Sequence, residues 1–147
     1  MPKDADQIIS LMKELINEHR KIDPYYKNFS EYKGLEEYIN ETIADRNKLL
    51  LVAESGGRPI GYFIGIVEEA PYYSSEKKIG VVADTAVTSA KRRKGVLKMF
   101  FTEALEWFSK KGVKYIELSV DSRNKDAVTA WRSLGFEDYK IRLKRMV

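Results

Sequence analysis

Apolar residues recur at three-to-four spacing from Asp6 to about Arg20, where Ile8, Ile9, Leu11, Met12, Leu15 and Ile16 share one stripe. That pattern predicts an amphipathic helix. Pro24 closes the region, and Ser30 to Asp45 predicts a second, weaker helix carrying Leu35, Tyr38, Ile39 and Ile43. The pattern then changes to that of strands. Leu49 to Ala53 and Ile60 to Val67 are β-rich runs on either side of Ser55-Gly56-Gly57-Arg58, the arrangement of a hairpin. Gly61 and Gly65 lie inside the second run, where glycine often marks the close approach of a ligand or another backbone. After a polar, aromatic loop over residues 68–78, Ile79 to Thr88 predicts a third strand. A basic turn leads to a long helix from about Lys94 to Lys111, with Leu97, Phe101, Ala104, Leu105 and Phe108 on one face and Gly112 as its stop. Tyr115 to Val120 alternates, with Ile116, Leu118 and Val120 on one face. Asn124 is expected to cap a short helix whose Ala127, Ala130, Trp131 and Leu134 form a stripe ending at Gly135. Phe136 to Val147 predicts a last strand or strand pair. The order α-α-β-β-β-α-β-α-β is that of an α/β (α+β) protein, a mixed central sheet flanked by about four helices.

Composition narrows the chemistry. The 147 residues are 44% apolar, enough for one continuous core, and carry no repeat or linker, so residues 1–147 read as a single domain. No apolar run approaches the roughly 18–20 residues that span a bilayer. The opening, Met1 to Asp6, lacks the apolar stretch of a signal peptide, which makes the cytoplasm the expected compartment. With no cysteine there is no disulfide framework, thiolate nucleophile or Cys-based zinc site. The single histidine, His19, excludes a multi-His metal site and argues against a Ser-His-Asp triad; beside Glu18 and Arg20 it reads as surface. No metal is expected. The net charge of +4 attracts anions, and a phosphorylated cofactor and a nucleic acid are both anions.

The informative segment runs from Val81 to Lys98, where a strand enters a short basic loop, Gly95 sits at the turn and an amphipathic helix follows. The first amides of an α-helix have no partner within it, and the helix dipole makes that end partly positive. Gly95 has no Cβ, so a pyrophosphate could approach the backbone there. Lys91, Arg92, Arg93 and Lys94 add long-range attraction. Taken alone, the segment also reads as a solvated basic surface before a helix.

It does not stand alone. The sequence resembles the GNAT superfamily of acetyl-CoA-dependent N-acetyltransferases, which carries a Gln/Arg-x-x-Gly-x-Gly/Ala signature between a strand and a helix. Arg92-Arg93-Lys94-Gly95-Val96-Leu97 aligns with it, and downstream Asn124, Ala127, Trp131, Gly135 and Phe136 follow the family's order. The resemblance runs from about residue 49 to 145. It implies a strand that bulges and splays from its neighbour, so that Thr85, Ala86 and Val87 meet the pantetheine arm. Arg92, Arg93, Lys94, Gly95, Val96, Leu97 and Lys98 then surround the pyrophosphate, mostly through main-chain amides. The amide near Val87 would polarise the thioester carbonyl and stabilise the oxyanion. Asn124 would sit near the pantetheine and Trp131 at the floor of the acetyl site. The family also places a strand before its first helix, so here that strand is missing or the sheet is one strand smaller.

Two positions depart from the pattern. Leu97 replaces the signature's second small residue and must point into the core. Trp131 stands where a tyrosine is frequent, and an indole N–H cannot protonate a departing thiolate. A thiol with a pKa near 8.5 can dispense with that acid. The plainer reading of Trp131 is a core aromatic at helical spacing.

An amine must lose a proton to attack, which calls for a base or a water chain. Asp84 is the leading candidate, the one carboxylate in an otherwise apolar strand, where partial burial would raise its pKa. The alternative is that Asp84 pairs with a cation or caps a strand-edge amide. Glu68 and Glu69 could draw a cationic substrate to the cleft rim, although a solvated loop explains them equally. Tyr25, Tyr26, Tyr72 and Tyr73 occupy two polar loops that could flank an acceptor. The reading favoured is an N-acetyltransferase taking acetyl-CoA and an amine of a small molecule, peptide or protein. A non-catalytic acyl-CoA-binding module is the alternative, on the strength of the absent tyrosine. A nucleic-acid binder using Lys91–Lys94 and the tail Lys140, Arg142, Lys144 and Arg145 is less favoured, because those tail residues alternate with Ile141 and Leu143 as an exposed sheet face does. The oligomeric state is open, a homodimer included.

Overall fold

The computed structural model describes residues 2–23, 25 and 34–147. Pro24, Tyr26, the Ser30 to Lys33 start of the expected second helix, and the side chains of Leu15 and His19 lie outside the described residues. The elements are α1 (Pro2–Ile22), α2 (Leu35–Ala44), β1 (Lys48–Ser55), β2 (Arg58–Glu69), β3 (Lys78–Val87), a 3-10 turn (Ser89–Lys91), α3 (Val96–Lys110), β4 (Ile116–Leu118) and α4 (Lys125–Ser133). The strands form one sheet in the order β1-β2-β3-β4, antiparallel except for the parallel β3–β4 pair. This is the expected mixed sheet flanked by helices, with β1 at the edge that the family resemblance would cover with a further strand.

Each face of the sheet has its own core. On one, Ala5, Ile8, Leu11 and Met12 of α1 and Ile39 of α2 pack on Tyr62 and Ile64 of β2. Thr42 is buried with them because its hydroxyl donates to the Tyr38 carbonyl at 2.7 Å, satisfying the polar group inside its own helix. On the other, Phe100, Phe101, Ala104 and Phe108 of α3 pack on Phe63, Val82 and Trp131. Leu97 packs against this cluster, as its place on the α3 stripe predicted. Leu105 does not; it is 46% exposed, because it lies at the flank of a stripe centred on Phe100, Ala104 and Phe108.

The glycines inside the strands answer to close approach, chiefly by α3. A Cβ on Gly65 would stand 3.0 Å from the Phe108 ring, and one on Gly61 would stand 2.9 Å from the Ala86 carbonyl oxygen. Gly80 is tighter still, with the Phe108 ring 2.7 Å from the added carbon. Gly80→Ala is therefore expected to lower unfolding stability by about 1–3 kcal/mol through overpacking, read as a drop in denaturant midpoint at unchanged m-value.

Two sequence expectations are corrected. The Tyr115 to Val120 strand is only Ile116–Leu118, and Val120 lies beyond its end, because β3 offers β4 pairing partners only from Gly80 to Val82. The expected strand or strand pair over Phe136 to Val147 is absent: no residue there joins the ladder, and 137–147 are exposed. Alternation gives a segment the capacity for a strand, but a strand also needs an edge to bond to.

Candidate active site

The site begins with an irregularity in β3. Ile64 pairs with Asp84 but Gly65 pairs with Val82, so Ala83 is an extra residue in the strand. Such a bulge shifts the alternation by one position. Val82 packs with the α3 cluster, whereas Ala86 packs with the α1/α2 cluster. Without the bulge, Asp84 would share the face of Val82. With it, Asp84 joins the face of Ala86 and Tyr62. The Tyr62 hydroxyl, carried on a ring buried among Ile8, Leu11 and Ile39, donates to Asp84 Oδ2 at 2.8 Å. Burial, and then the negative charge of Asp84, push the Tyr62 phenol well above its ordinary value. The same two causes in the same order raise Tyr38 of α2. Asp84 thus accepts from a tyrosine that stays protonated throughout the working pH range.

That raised phenol has a consequence for stability. Its contribution is fully present below the unfolded value near 10 and is lost as pH rises, because the unfolded chain then releases a proton that the folded chain retains. Above pH about 10, unfolding free energy should fall by about 1.4 kcal/mol per pH unit for this one group. Melting Tyr62→Phe beside the parent from pH 8 to 11 checks this: the variant should start lower and show a shallower alkaline decline.

The bulge also marks where the two parallel strands part. Among the described residues, β3 continues through Ala83 to Val87 with no strand partner on its β4 side, which leaves a cleft between the strand ends. The direction of the free backbone groups follows from the ladder. Thr88 N–H donates to the Ile60 carbonyl at 2.8 Å. Hydrogen-bonded positions alternate in an antiparallel pair, so Ala86 and Asp84 share this ladder with β2. The main-chain N–H and C=O of Thr85 and Val87 consequently point away from β2, into the cleft. The Thr85 hydroxyl is turned the other way, donating to the Tyr62 carbonyl at 2.9 Å.

At the cleft mouth the chain makes a turn and enters α3. The helix starts at Val96, two residues later than expected, because Gly95 at its N-cap adopts φ 81° and Arg93 adopts φ 61°. A left-handed arginine costs about 1 kcal/mol or more, so the shape of this turn is held by its surroundings. No side chain caps the helix, and its first bond runs from Met99 N–H to the Gly95 carbonyl at 3.0 Å. The amides of Val96, Leu97 and Lys98 therefore face out of the helix end. The space in front of Gly95 is open, since an added Cβ there would meet nothing within 4 Å.

The basic residues are distributed unevenly. Arg92 donates through Nε to the Val87 carbonyl at 3.0 Å and pairs with Glu18 of α1 at 2.7 Å. Arg93 pairs with Asp126 of α4 at 3.0 Å, both side chains fully in solvent. Exposed pairs of this kind contribute about 0–1 kcal/mol and exchange readily for another anion. Leu11 and Glu14 of α1 line a crevice with Ala86, Val87, Thr88 and Arg92, so α1 forms one wall of the site. Glu14, Glu18, Tyr38 and Tyr62 belong to the site's surroundings, and sequence reading missed them. The one local signal was a tyrosine within the apolar run of β2, whose hydroxyl would need a partner once buried.

The remaining candidates divide clearly. Asn124 caps α4, its side chain accepting from the Ala127 N–H at 3.2 Å. Trp131 is 7% exposed and meets Phe101 and Phe136 edge-on, so its side chain belongs to the core. Glu68 and Glu69 end β2 opposite Ile79 and Lys78, at the far end of the strands from Val87, and are solvated. Tyr72 and Tyr73 lie beyond that same far end, edge-to-face at 5.5 Å. Tyr25 is exposed beneath the Lys144 ammonium. Among the described residues no helix is long and apolar enough to cross a membrane, and no group of three or more His, Cys, Asp or Glu is placed to hold a metal ion.

Comparison with known proteins bears on this geometry. An uncharacterized N-acetyltransferase of Bacillus subtilis, YhfO, is 25% identical over 126 residues, 84% of this chain and 80% of that protein. The crystal structure of a mutant of the BH1408 protein from Bacillus halodurans shares the fold with a TM-score of 0.87 at 17% identity, covering 99% of this chain and 94% of that one. The aminoglycoside N-acetyltransferase AAC(6')-Iy, in complex with the bisubstrate analog CoA-S-monomethyl-acetylneamine, superposes with a TM-score of 0.74 at 14% identity, covering 99% and 92%. Residues 11–136 match the acetyltransferase (GNAT) family. The chain belongs to that family and is an enzyme of the acetyltransferase class.

Proposed function

We propose that the chain, as a single N-acetyltransferase domain over residues 1–147, transfers the acetyl group of acetyl-CoA to a primary amine of a small molecule, peptide or protein. The observation that carries this is the cleft where β3 leaves β4 with an uncapped helix start at its mouth. The site suits the coenzyme: outward main-chain groups for a pantetheine arm, unpartnered helix amides for a pyrophosphate, and open space before Gly95. In this reading Thr85, Ala86 and Val87 hold the arm as a neighbouring strand would. The amides of Val96, Leu97 and Lys98 hold the phosphates, joined by Lys94 and, once their exposed carboxylate partners Glu18 and Asp126 give way, by Arg92 and Arg93. Asn124 and Trp131 support the arm from α4, Trp131 as a floor.

The coenzyme supplies an activated acetyl thioester; the chain orients it and manages the protons. The Val87 N–H polarises the thioester carbonyl. Asp84, steadied by the Tyr62 hydroxyl, takes the proton from the acceptor amine. It lies three positions before Val87, about 10 Å along the strand, so water carries the proton over that span. Trp131 supplies no acid, and none is required, because a thiol titrating near 8.5 leaves as the anion. Aminoglycosides enter the acceptor panel because AAC(6')-Iy is an aminoglycoside N-acetyltransferase.

The non-catalytic acyl-CoA-binding module draws its support from Trp131, whose buried indole stands where a tyrosine is frequent; membership of the acetyltransferase family favours transfer. One assay separates the two. Purified chain, acetyl-CoA and a panel of aminoglycosides, polyamines and lysine or N-terminal peptides are followed by free-thiol release. Amine-dependent thiol release supports transfer, whereas coenzyme binding with no release for any amine supports the module.

A further inference from the structure

Arg92 stands on one of the groups that a coenzyme arm needs. Thr88, Ala86 and Asp84 make the ladder with β2, so the Val87 carbonyl points away from it, into the cleft. The Arg92 side chain folds back from the end of the 3-10 turn, and its Nε–H donates to that carbonyl at 3.0 Å. Nε thereby fills the acceptor that an amide of the arm, lying along β3 as a strand would, has to use.

A second bond holds the guanidinium in place. Arg92 Nη2 donates to Glu18 Oε2 of α1 at 2.7 Å, so the side chain bridges the crevice between α1 and the end of β3. Leu11, Glu14 and Glu18 recur at three-to-four spacing, so one face of α1 supplies both the buried leucine and the carboxylate. Arg93, at φ 61°, reaches instead to Asp126 of α4, and the two adjacent arginines grip helices on opposite faces of the sheet. Their holds differ in strength. The Arg93–Asp126 side chains are both 81% exposed, whereas Arg92 and Glu18 are 42% and 36% exposed, and Arg92 has the Val87 bond besides.

We propose that Arg92 is a displaceable plug on the arm's place at Val87, and that Glu18 is the positioning residue that keeps it there. This rests on the coenzyme reading of the cleft. Loading of acetyl-CoA exchanges partners: the arm takes the Val87 carbonyl, and the guanidinium moves from Glu18 to the pyrophosphate at the start of α3. Water then solvates the Glu18 carboxylate, which is already partly exposed. The one cation therefore acts with two signs. Toward the phosphates it strengthens binding, and toward the arm it competes. A ligand that has the arm but no phosphate meets only the competition.

The probes are acetyl-CoA and S-acetylpantetheine, an uncharged ligand with the arm and thioester but no phosphate. Both are titrated into the parent, Glu18→Ala and Arg92→Ala, with thermal melts to confirm folding. S-acetylpantetheine should bind each variant about two- to fivefold more tightly than the parent, the size expected for release of a surface ion pair. Acetyl-CoA should bind Arg92→Ala at least about threefold more weakly, because a charge-assisted contact to phosphate is lost. Removing the Glu18 charge does not by itself attract an uncharged ligand, so tighter binding of S-acetylpantetheine to Glu18→Ala reports the release of Arg92. Should that ligand bind neither variant more tightly while acetyl-CoA still shifts the amides at the start of α3, the plug is overturned and the coenzyme site stands. Acetyl-CoA that does not bind the parent removes both. If Arg92→Ala does not fold, Glu18→Ala with the uncharged ligand decides alone.

Discussion

Gly95→Glu is expected to raise the dissociation constant for acetyl-CoA at least about 100-fold from a micromolar value, equivalent to about 2.7 kcal/mol of lost binding. The substitution places a carboxylate where the proposed pyrophosphate sits, against amides that otherwise receive an anion. It also forces a side chain into φ 81°, a left-handed conformation that costs about 1–2 kcal/mol of stability. Gly95→Ala separates these effects. Its methyl group enters open space, so it should show the stability loss with less than about a tenfold change in affinity. Calorimetric titration of both variants, with thermal melts to confirm folding, reads the difference. Equal losses for Ala and Glu would mean that turn geometry, and not phosphate approach, dominates.

Asp84→Asn should lower kcat about 10²–10⁴-fold with the acetyl-CoA affinity unchanged, because it removes the proposed proton acceptor and leaves the cleft backbone in place. Tyr62 can still donate to the asparagine side-chain oxygen, so the fold should hold. The pH dependence distinguishes a base from a structural residue. As pH approaches the acceptor's own value, near 10.4 for a lysine-like amine, the amine arrives already deprotonated. The gap between parent and variant should therefore narrow at alkaline pH. A gap that stays constant with pH, or a kcat that does not change, would remove Asp84 from the proton path.

What could be read from the sequence was what is local. The turn into α3 is written in consecutive residues: four cations, a glycine and an amphipathic helix, each with its own physical meaning. Asp84 stood out as a carboxylate within an apolar strand. Its partner did not, because Tyr62 lies 22 residues away and meets Asp84 only through the β2–β3 register and the extra residue at Ala83. A bulge shifts every later side chain by one face, and nothing in the composition of Val81 to Val87 announces it. Glu18 is more remote still, 74 residues from the Arg92 it pairs with. The end of the chain failed for a related reason. Ile141 and Leu143 alternate with cations as strand residues do, but whether they find an edge depends on the rest of the sheet; Asn124 is the local contrast, its capping bond made three residues away.

The most direct test of the proposed coenzyme site is a titration of the uniformly 15N-labelled chain with acetyl-CoA, followed amide by amide. Large shifts should appear at Val96, Leu97 and Lys98 and at Thr85 and Val87, with Ala86, bonded to β2, moving less. Saturable binding that leaves the amides at the start of α3 unmoved would contradict the account.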